Sequence, residues 1–152
     1  MVPIVRNNVK PIACTLLVGI FLGFTSMMAY ATTTYSSWKY YGPVYGYSYK
    51  NRAEASNGSN YYVCARAVAA NSTSSDVPAG YLGSRPSMYK SDGQLMWTGS
   101  WYYNSIPANS ISVPVDATSI VSIYSKGMTA AYNGDGYSTY STYQSPVVNP
   151  YL

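Results

Sequence analysis

The chain has 152 residues, no histidine, nine Lys and Arg against five Asp and Glu, and a formal net charge of +4. The lack of histidine removes the commonest general base and metal ligand, together with Ser-His and Cys-His nucleophile pairs. No run of basic residues is present, which argues against nucleic acid as a partner.

Residues 1–31 have the pattern of a secretory signal peptide. Arg6 and Lys10 supply a basic start, an apolar run follows, and Ala29-Tyr30-Ala31 has the small-x-small pattern of a cleavage site. We expect this signal helix to be cleaved after Ala31, which leaves no membrane span and directs the protein to the extracellular space. A retained transmembrane anchor is the alternative. Residues 32–152 are predicted to form one all-β domain.

The residues after the signal favour strands and turns, because Tyr, Ser, Thr, Gly and Asn are abundant while Leu, Glu and Lys are scarce. Turn signals recur about every ten residues, a spacing typical of an antiparallel β-sandwich with about seven to nine short strands. A single helical turn is expected only at residues 51–56. The predicted strands cover residues 36–41, 44–50, 61–70, 86–90, 94–103, 112–115, 118–125, 127–132 and 137–144.

Two of the predicted turns contain Asp-Gly, a strong hairpin signal. The first is Asp92-Gly93, and the second is Asn133-Gly134-Asp135-Gly136. The second loop lacks the later oxygen ligands and the Gly of a calcium loop, and no helix or Lys-Ser pair follows it to make a phosphate cradle. We therefore expect a tight turn there, and no metal or cofactor.

Cys64 and Pro114 carry local structural information. Cys14 belongs to the predicted signal, so Cys64 would be the only cysteine after cleavage and no intramolecular disulfide could form. Its apolar surroundings predict a buried thiol, with an intermolecular disulfide as the alternative. Pro114 lacks a backbone donor, and its strand is therefore predicted to lie at a sheet edge.

Aromatic residues are the strongest functional signal, with 19 Tyr and three Trp against two Phe. A period of two places Tyr45, Tyr47 and Tyr49 on one face of their predicted strand. We expect this stripe, together with Tyr140, to form an exposed binding platform, because such rings offer large contact areas at low entropic cost. The alternative is that these tyrosines replace Leu and Phe in the core.

Two further strands carry aromatic residues whose faces can be predicted. In residues 94–103, one face carries large apolar side chains and is predicted to pack in the core. In residues 137–144, a spacing of three places Tyr140 opposite Tyr137 and Tyr143, so only one of these two sets can be exposed. The predicted core face consists of Leu95, Trp97, Trp101 and Tyr103.

Catalytic signals are weak. A glycosidase needs two carboxylates at a fixed separation in one cleft, whereas the five acidic residues are spread over separate segments. No Gly-x-Ser-x-Gly motif is present. A Ser-Lys dyad is the one nucleophilic arrangement left open, and we predict that the protein is not an enzyme. The acidic residues are Glu54, Asp76, Asp92, Asp116 and Asp135.

Part of the chain resembles a known family. The order of short motifs over residues 38–104 is similar to that of small secreted β-sandwich bacteriocins of the lactococcin type. The resemblance implies a secreted Gram-positive protein that acts at the envelope of a neighbouring cell. Residues 105–152 are additional to that pattern, and no functional residue carries over. The motifs are Trp38, Gly42, the Tyr-rich residues 45–49, the Ala/Val-rich residues 65–70, Ala79-Gly80 and Tyr102-Tyr103-Asn104.

The sequence therefore favours a secreted, non-catalytic recognition protein. Its exposed Tyr and Trp side chains would bind an extracellular glycan, a cell-wall polymer or a protein. The first alternative is a secreted antibacterial protein that acts on a cell envelope, and the second is a small extracellular hydrolase. Nothing in the sequence predicts an oligomeric state.

Overall fold

The computed structural model describes residues 31–151, and every regular element in that part of the chain is a β-strand. This confirms the predicted all-β class. The predicted signal peptide lies outside the described residues, apart from Ala31. No helix in residues 31–151 has the length and apolar character needed to cross a bilayer. The strands are β1 (Thr33–Tyr35), β2 (Lys39–Val44), β3 (Tyr47–Asn57), β4 (Tyr62–Asn71), β5 (Leu82–Arg85), β6 (Ser87–Lys90), β7 (Leu95–Thr98), β8 (Tyr102–Tyr103), β9 (Ser110–Thr118), β10 (Ile123–Ser125), β11 (Met128–Tyr132) and β12 (Tyr137–Ser141).

The largest sheet has five antiparallel strands centred on β3 and β4. One edge of the long β3 is shared by β1 and β2, and the other edge pairs with β4, which in turn pairs with β9. Pro114 lies in β9 at the edge of this sheet, as predicted. The helical turn expected at residues 51–56 is wrong, because strands pair with this segment on both sides.

Two smaller antiparallel sheets have the orders β10-β6-β7 and β12-β11-β5-β8. Both predicted Asp-Gly hairpins are confirmed. Gly93 lies in the loop between β6 and β7 with φ +94°, and Gly134 lies between β11 and β12 with φ +99°. These left-handed conformations favour glycine, which explains why the turn signals were correct.

Two predicted strands are interrupted. The strand expected over residues 44–50 is wrong at its start, because Tyr45 and Gly46 have φ values of 47° and 84° and form the loop between β2 and β3. The strand expected over residues 94–103 divides into β7 and β8, which belong to different sheets. Gly99 lies at this crossing, where its N–H donates to the Pro86 carbonyl at 2.9 Å.

The core lies on one face of the five-stranded sheet. One buried cluster joins Ala55 and Val63 of this sheet to Met88 and Ile123 of the three-stranded sheet. A second cluster joins Tyr49 and other residues of the large sheet to the four-stranded sheet. Alternate residues of a strand point to opposite faces, so every second residue of β3 from Tyr49 onward points to the core. The residues between them lie on the outer face of the sheet. The second cluster comprises Val44, Tyr49, Ala69, Val77, Leu82 and Ala131.

Cys64 is fully buried, as its apolar surroundings predicted. Burial, followed by the neighbouring Asp116 carboxylate, raises the pKa of this thiol to about 11. The thiol therefore stays protonated and weakly nucleophilic at neutral pH.

Candidate functional site

The predicted stripe of Tyr45, Tyr47 and Tyr49 is not a single exposed surface. Tyr45 is 58% exposed, Tyr47 is half-buried and Tyr49 is 0% exposed. The prediction that Tyr49 is exposed is therefore wrong. The turn at Tyr45-Gly46 breaks the period of two, and the face that continues along β3 through Tyr49 is the one that packs against the core.

Tyr140 also packs inward. Its ring stacks on the ring of Tyr41 with centroids 3.9 Å apart, and Tyr41 lies 5.7 Å from Tyr49. Burial raises the pKa of both Tyr41 and Tyr49 to about 12. Tyr140 is half-buried while Tyr137 and Tyr143 are exposed, which confirms that only one of these two sets faces solvent.

Four tyrosine rings that contact one another form a surface that we call the tyrosine cluster. Its members are Tyr45, Tyr81, Tyr132 and Tyr137. The ring of Tyr45 lies 5.4 Å from Tyr132 and 6.0 Å from Tyr81, and Tyr81 lies 5.0 Å from Tyr132. Tyr137 adds an edge contact to Tyr132 at 5.9 Å. The cluster thus joins three turns that are distant in sequence.

The Asn133–Gly136 loop holds the Tyr45 ring in place. A Cβ atom on Gly134 would lie 2.8 Å from that ring, so only glycine leaves room for it. The Tyr132 hydroxyl donates to the Gly134 carbonyl at 2.8 Å, and the Tyr137 hydroxyl donates to the Gly80 carbonyl at 2.9 Å. The exposed Tyr45 ring is therefore fixed by its neighbours.

A shallow cavity of about 290 Å³ adjoins these rings and is lined by Ala79, Gly80, Tyr81, Tyr132 and Tyr137. No charged side chain lines it. Partial burial, followed by the phenol of Tyr45, raises the pKa of Tyr81, whose hydroxyl therefore stays neutral at physiological pH. The volume is close to the lower end of the range for small-ligand sites, roughly 300–1,000 Å³.

The sequence pattern identified Tyr45 but missed Tyr81 and Tyr132 as its partners in the tyrosine cluster. A usable signal was present, because Tyr45, Tyr81 and Tyr137 each adjoin a turn glycine. Tyr132 and Tyr137 also form the register pair that closes their hairpin, which places both rings beside the loop.

The predicted core face of residues 94–103 is largely exposed. Leu95 is 51% exposed and Trp97 is 61% exposed, so that prediction is wrong. Among the described strands, β7 pairs only with β6, and its Met96 packs against the core instead. Trp101 and Tyr103 are half-buried and stack with centroids 6.0 Å apart.

A Ser-Lys dyad was left open by the sequence, and the Ser-x-x-Lys spacing occurs twice, at Ser36–Lys39 and at Ser87–Lys90. In the described residues, neither lysine donates a hydrogen bond to its serine. Lys39 donates to the backbone and hydroxyl oxygens of Ser141, and Lys90 donates to Gln94. Both serine hydroxyls bond other groups: Ser36 accepts from the Ala53 N–H, and Ser87 pairs with Thr98.

Two of the acidic residues have strong side-chain partners. Glu54 forms an ion pair with Arg52 at 2.8 Å, and Asp116 accepts a hydrogen bond from the Tyr62 hydroxyl at 2.8 Å. In residues 31–151 no group of three or more His, Cys, Asp or Glu side chains could hold a metal ion.

Comparison of the chain with protein-family models, curated proteins and solved structures finds no match. The resemblance to lactococcin-type bacteriocins therefore stays a prediction. The geometry of the tyrosine cluster is the main guide to function.

Proposed function

We propose that this protein is a secreted, non-catalytic recognition protein that binds an uncharged extracellular glycan at the tyrosine cluster. One observation carries the proposal: the Tyr45 ring is 58% exposed, yet it is held by Tyr132, Tyr81 and the Gly134 loop beside an uncharged cavity. An exposed aromatic ring that is already immobilised loses little entropy on binding.

The chemistry of the cavity suits a sugar. The apolar C–H face of a sugar ring can stack on the open ring of Tyr45, while its hydroxyls can exchange hydrogen bonds with phenols and backbone carbonyls. The Tyr132 and Tyr137 hydroxyls already donate to carbonyls, so their oxygens remain available as acceptors. Because the lining carries no charge, an uncharged glycan fits it better than an ionic one.

The proposal includes an architecture and a location. We infer a β-sandwich in which the five-stranded sheet is one layer and the two smaller sheets form the other, as the two buried clusters between them suggest. Residues 1–31 would act as the secretory signal, and residues 32–152 would be the single domain that reaches the extracellular space.

A matched pair of variants tests the glycan site. Tyr45→Ala removes the exposed ring of the cluster, whereas Tyr40→Ala removes a ring that is 65% exposed on β2 and makes no ring contact in the described residues. Binding is measured by affinity electrophoresis in gels that contain an uncharged polysaccharide such as β-glucan, galactomannan or soluble chitin. We expect Tyr45→Ala to weaken binding about tenfold, because a stacked ring and its buried area are lost. Tyr40→Ala should bind like the wild type.

Two outcomes would overturn the proposal. One is that the wild-type protein is retarded by none of these polysaccharides. The other is that Tyr45→Ala and Tyr40→Ala reduce retardation equally while both remain folded by circular dichroism.

A further inference from the structure

A second cavity, of about 280 Å³, lies on the outer face of the five-stranded sheet. Lys50 and Arg52 line it from β3, where they alternate with the buried residues Tyr49 and Asn51. Trp38, just before β2, closes one side. The residues of this cavity differ from those of the tyrosine cluster.

Trp38 organises the two cations. The Lys50 ammonium lies 5.0 Å from the centroid of the Trp38 ring, and the Arg52 guanidinium lies 4.5 Å from it. Arg52 also stacks on Tyr35 at 4.4 Å and pairs with Glu54 through two contacts, at 2.8 and 2.9 Å. Arg52 is therefore held on several sides and its charge is matched.

The charge of Lys50 is not matched. Within residues 31–151, the ion pair of Arg52 with Glu54 is the only one, and no carboxylate lies within ion-pair distance of the Lys50 ammonium. The cation–π contact with Trp38 orients the ammonium without neutralising it. Lys50 thus contributes a positive charge and up to three hydrogen-bond donors to the cavity.

The neighbouring polar side chains also favour an acceptor-rich ligand. The Asn71 side-chain oxygen already accepts from the N–H and hydroxyl of Thr73, and the Asn109 side-chain oxygen accepts from Ser110. In the part of the chain that the structure describes, the Asn109 amide NH₂ and the Ser74 hydroxyl donate to no protein group. The side-chain oxygens of Asn71 and Asn109 are therefore engaged by the protein, whereas the Asn109 NH₂ and the Ser74 hydroxyl are available to donate to a ligand.

We propose that this cavity binds the oxyanion of an acidic glycan polymer, either the carboxylate of a uronic acid or the phosphodiester of a polyol-phosphate chain. Lys50 is the ionic partner of the oxyanion, and Trp38 positions the Lys50 ammonium. Asn109 and Ser74 donate the additional hydrogen bonds. The site is independent of the tyrosine cluster, so a polymer could be held by its charge at one surface and by an uncharged sugar at the other.

The experiment uses the full protein with its signal residues removed by secretion, and three polymers. Polygalacturonate carries carboxylates, poly(glycerol phosphate) carries phosphodiesters, and dextran is uncharged. Binding is measured by isothermal titration calorimetry at 50 and 300 mM NaCl. We expect wild-type binding to at least one of the two anionic polymers, and this binding should weaken at the higher salt concentration. Any binding of dextran, which would occur at the tyrosine cluster, should not depend on salt. The anionic polymer that binds more tightly identifies the source of the oxyanion.

Variants separate a specific site from general charge attraction. Lys50→Gln should weaken binding about tenfold, because a charge-assisted hydrogen bond is lost, whereas Lys50→Arg should retain most of it. Lys126→Gln removes the same charge at an exposed position outside the cavity and should bind like the wild type. Equal weakening by Lys50→Gln and Lys126→Gln, or no binding of either anionic polymer at 50 mM NaCl, would overturn the proposal.

The two proposed sites can be tested separately. Tyr45→Ala should leave binding of the anionic polymer unchanged, and Lys50→Gln should leave binding of the uncharged glycan unchanged. If Tyr45→Ala removes both activities, the two sites are not independent and this inference fails.

Discussion

The buried phenols of Tyr41 and Tyr49 predict that the fold loses stability in alkaline solution. Burial raises the pKa of each from the ordinary value of 10.0 to about 12, so the folded chain keeps both protons over a range in which the unfolded chain releases them. Their contribution to stability is therefore complete below pH 10 and is lost as the pH rises towards 12. At pH 11 the linkage relation gives a loss of about 1.4 kcal/mol for each phenol.

Phenylalanine variants measure this contribution for each ring. The Tyr49 hydroxyl is buried and has no hydrogen-bond partner in the described residues, so Tyr49→Phe should cost nothing at pH 8. At pH 11 it should be more stable than the wild type by about 1.4 kcal/mol, because the phenol that would ionise on unfolding is absent. The free energy of unfolding is obtained from urea titrations followed by tryptophan fluorescence.

Tyr41→Phe is the matched control. In the wild type the Tyr41 hydroxyl forms a hydrogen bond with the Thr129 hydroxyl at 3.1 Å. Loss of this bond should lower the free energy of unfolding of the variant by about 1 kcal/mol at pH 8. Between pH 8 and pH 11 the free energy of unfolding of Tyr41→Phe should rise by about 1.4 kcal/mol relative to that of the wild type, because the variant has no phenol to ionise at this position. If the difference between the wild type and Tyr49→Phe is the same at pH 8 and pH 11, Tyr49 does not hold a buried proton and the reasoning is refuted.

Two further predictions concern a loop and a buried hydroxyl. Gly134→Ala should cost about 2 kcal/mol and Gly93→Ala about 1 kcal/mol, because both have positive φ but only Gly134 faces the Tyr45 ring. Equal losses in urea unfolding would contradict the predicted clash. Thr129→Val should cost about 2–3 kcal/mol, because the Thr129 hydroxyl bonds Asn51 at 2.7 Å in the core, whereas Thr129→Ser keeps that bond. Similar thermal unfolding of the Val and Ser variants would contradict this role.

The elements that were predicted correctly depend on short-range chemistry. Glycine in the Asp92-Gly93 and Asn133–Gly136 loops permits the left-handed backbone that each hairpin requires. Pro114 cannot donate to a neighbouring strand, and it lies at a sheet edge. Cys64 lies within an apolar strand and is buried. In each case a few adjacent residues contain the relevant information.

The wrong predictions of burial concern which side of a strand faces the core. A period of two correctly grouped Leu95 with Trp97, and Tyr47 with Tyr49, but it could not assign either group to the inside or the outside. Tyr49 is buried because another sheet packs on it, and Trp97 is exposed because the Met96 side of β7 packs inward. In a chain with tyrosine on both faces, polarity alone does not separate these alternatives.

Local residue patterns were sufficient to predict the all-β class, the positions of the Asp-Gly hairpin turns and the edge position of Pro114. Which tyrosine rings come into contact depends on the tertiary fold. Tyr45, Tyr81 and Tyr132 are far apart along the chain, and they come into contact only when the turns that carry them are brought together. Trp38 and Lys50 are likewise brought together only by the fold. The exposure of a side chain and the matching of its charge depend on neighbours from other strands. The conformation of a turn, in contrast, depends on a few adjacent residues.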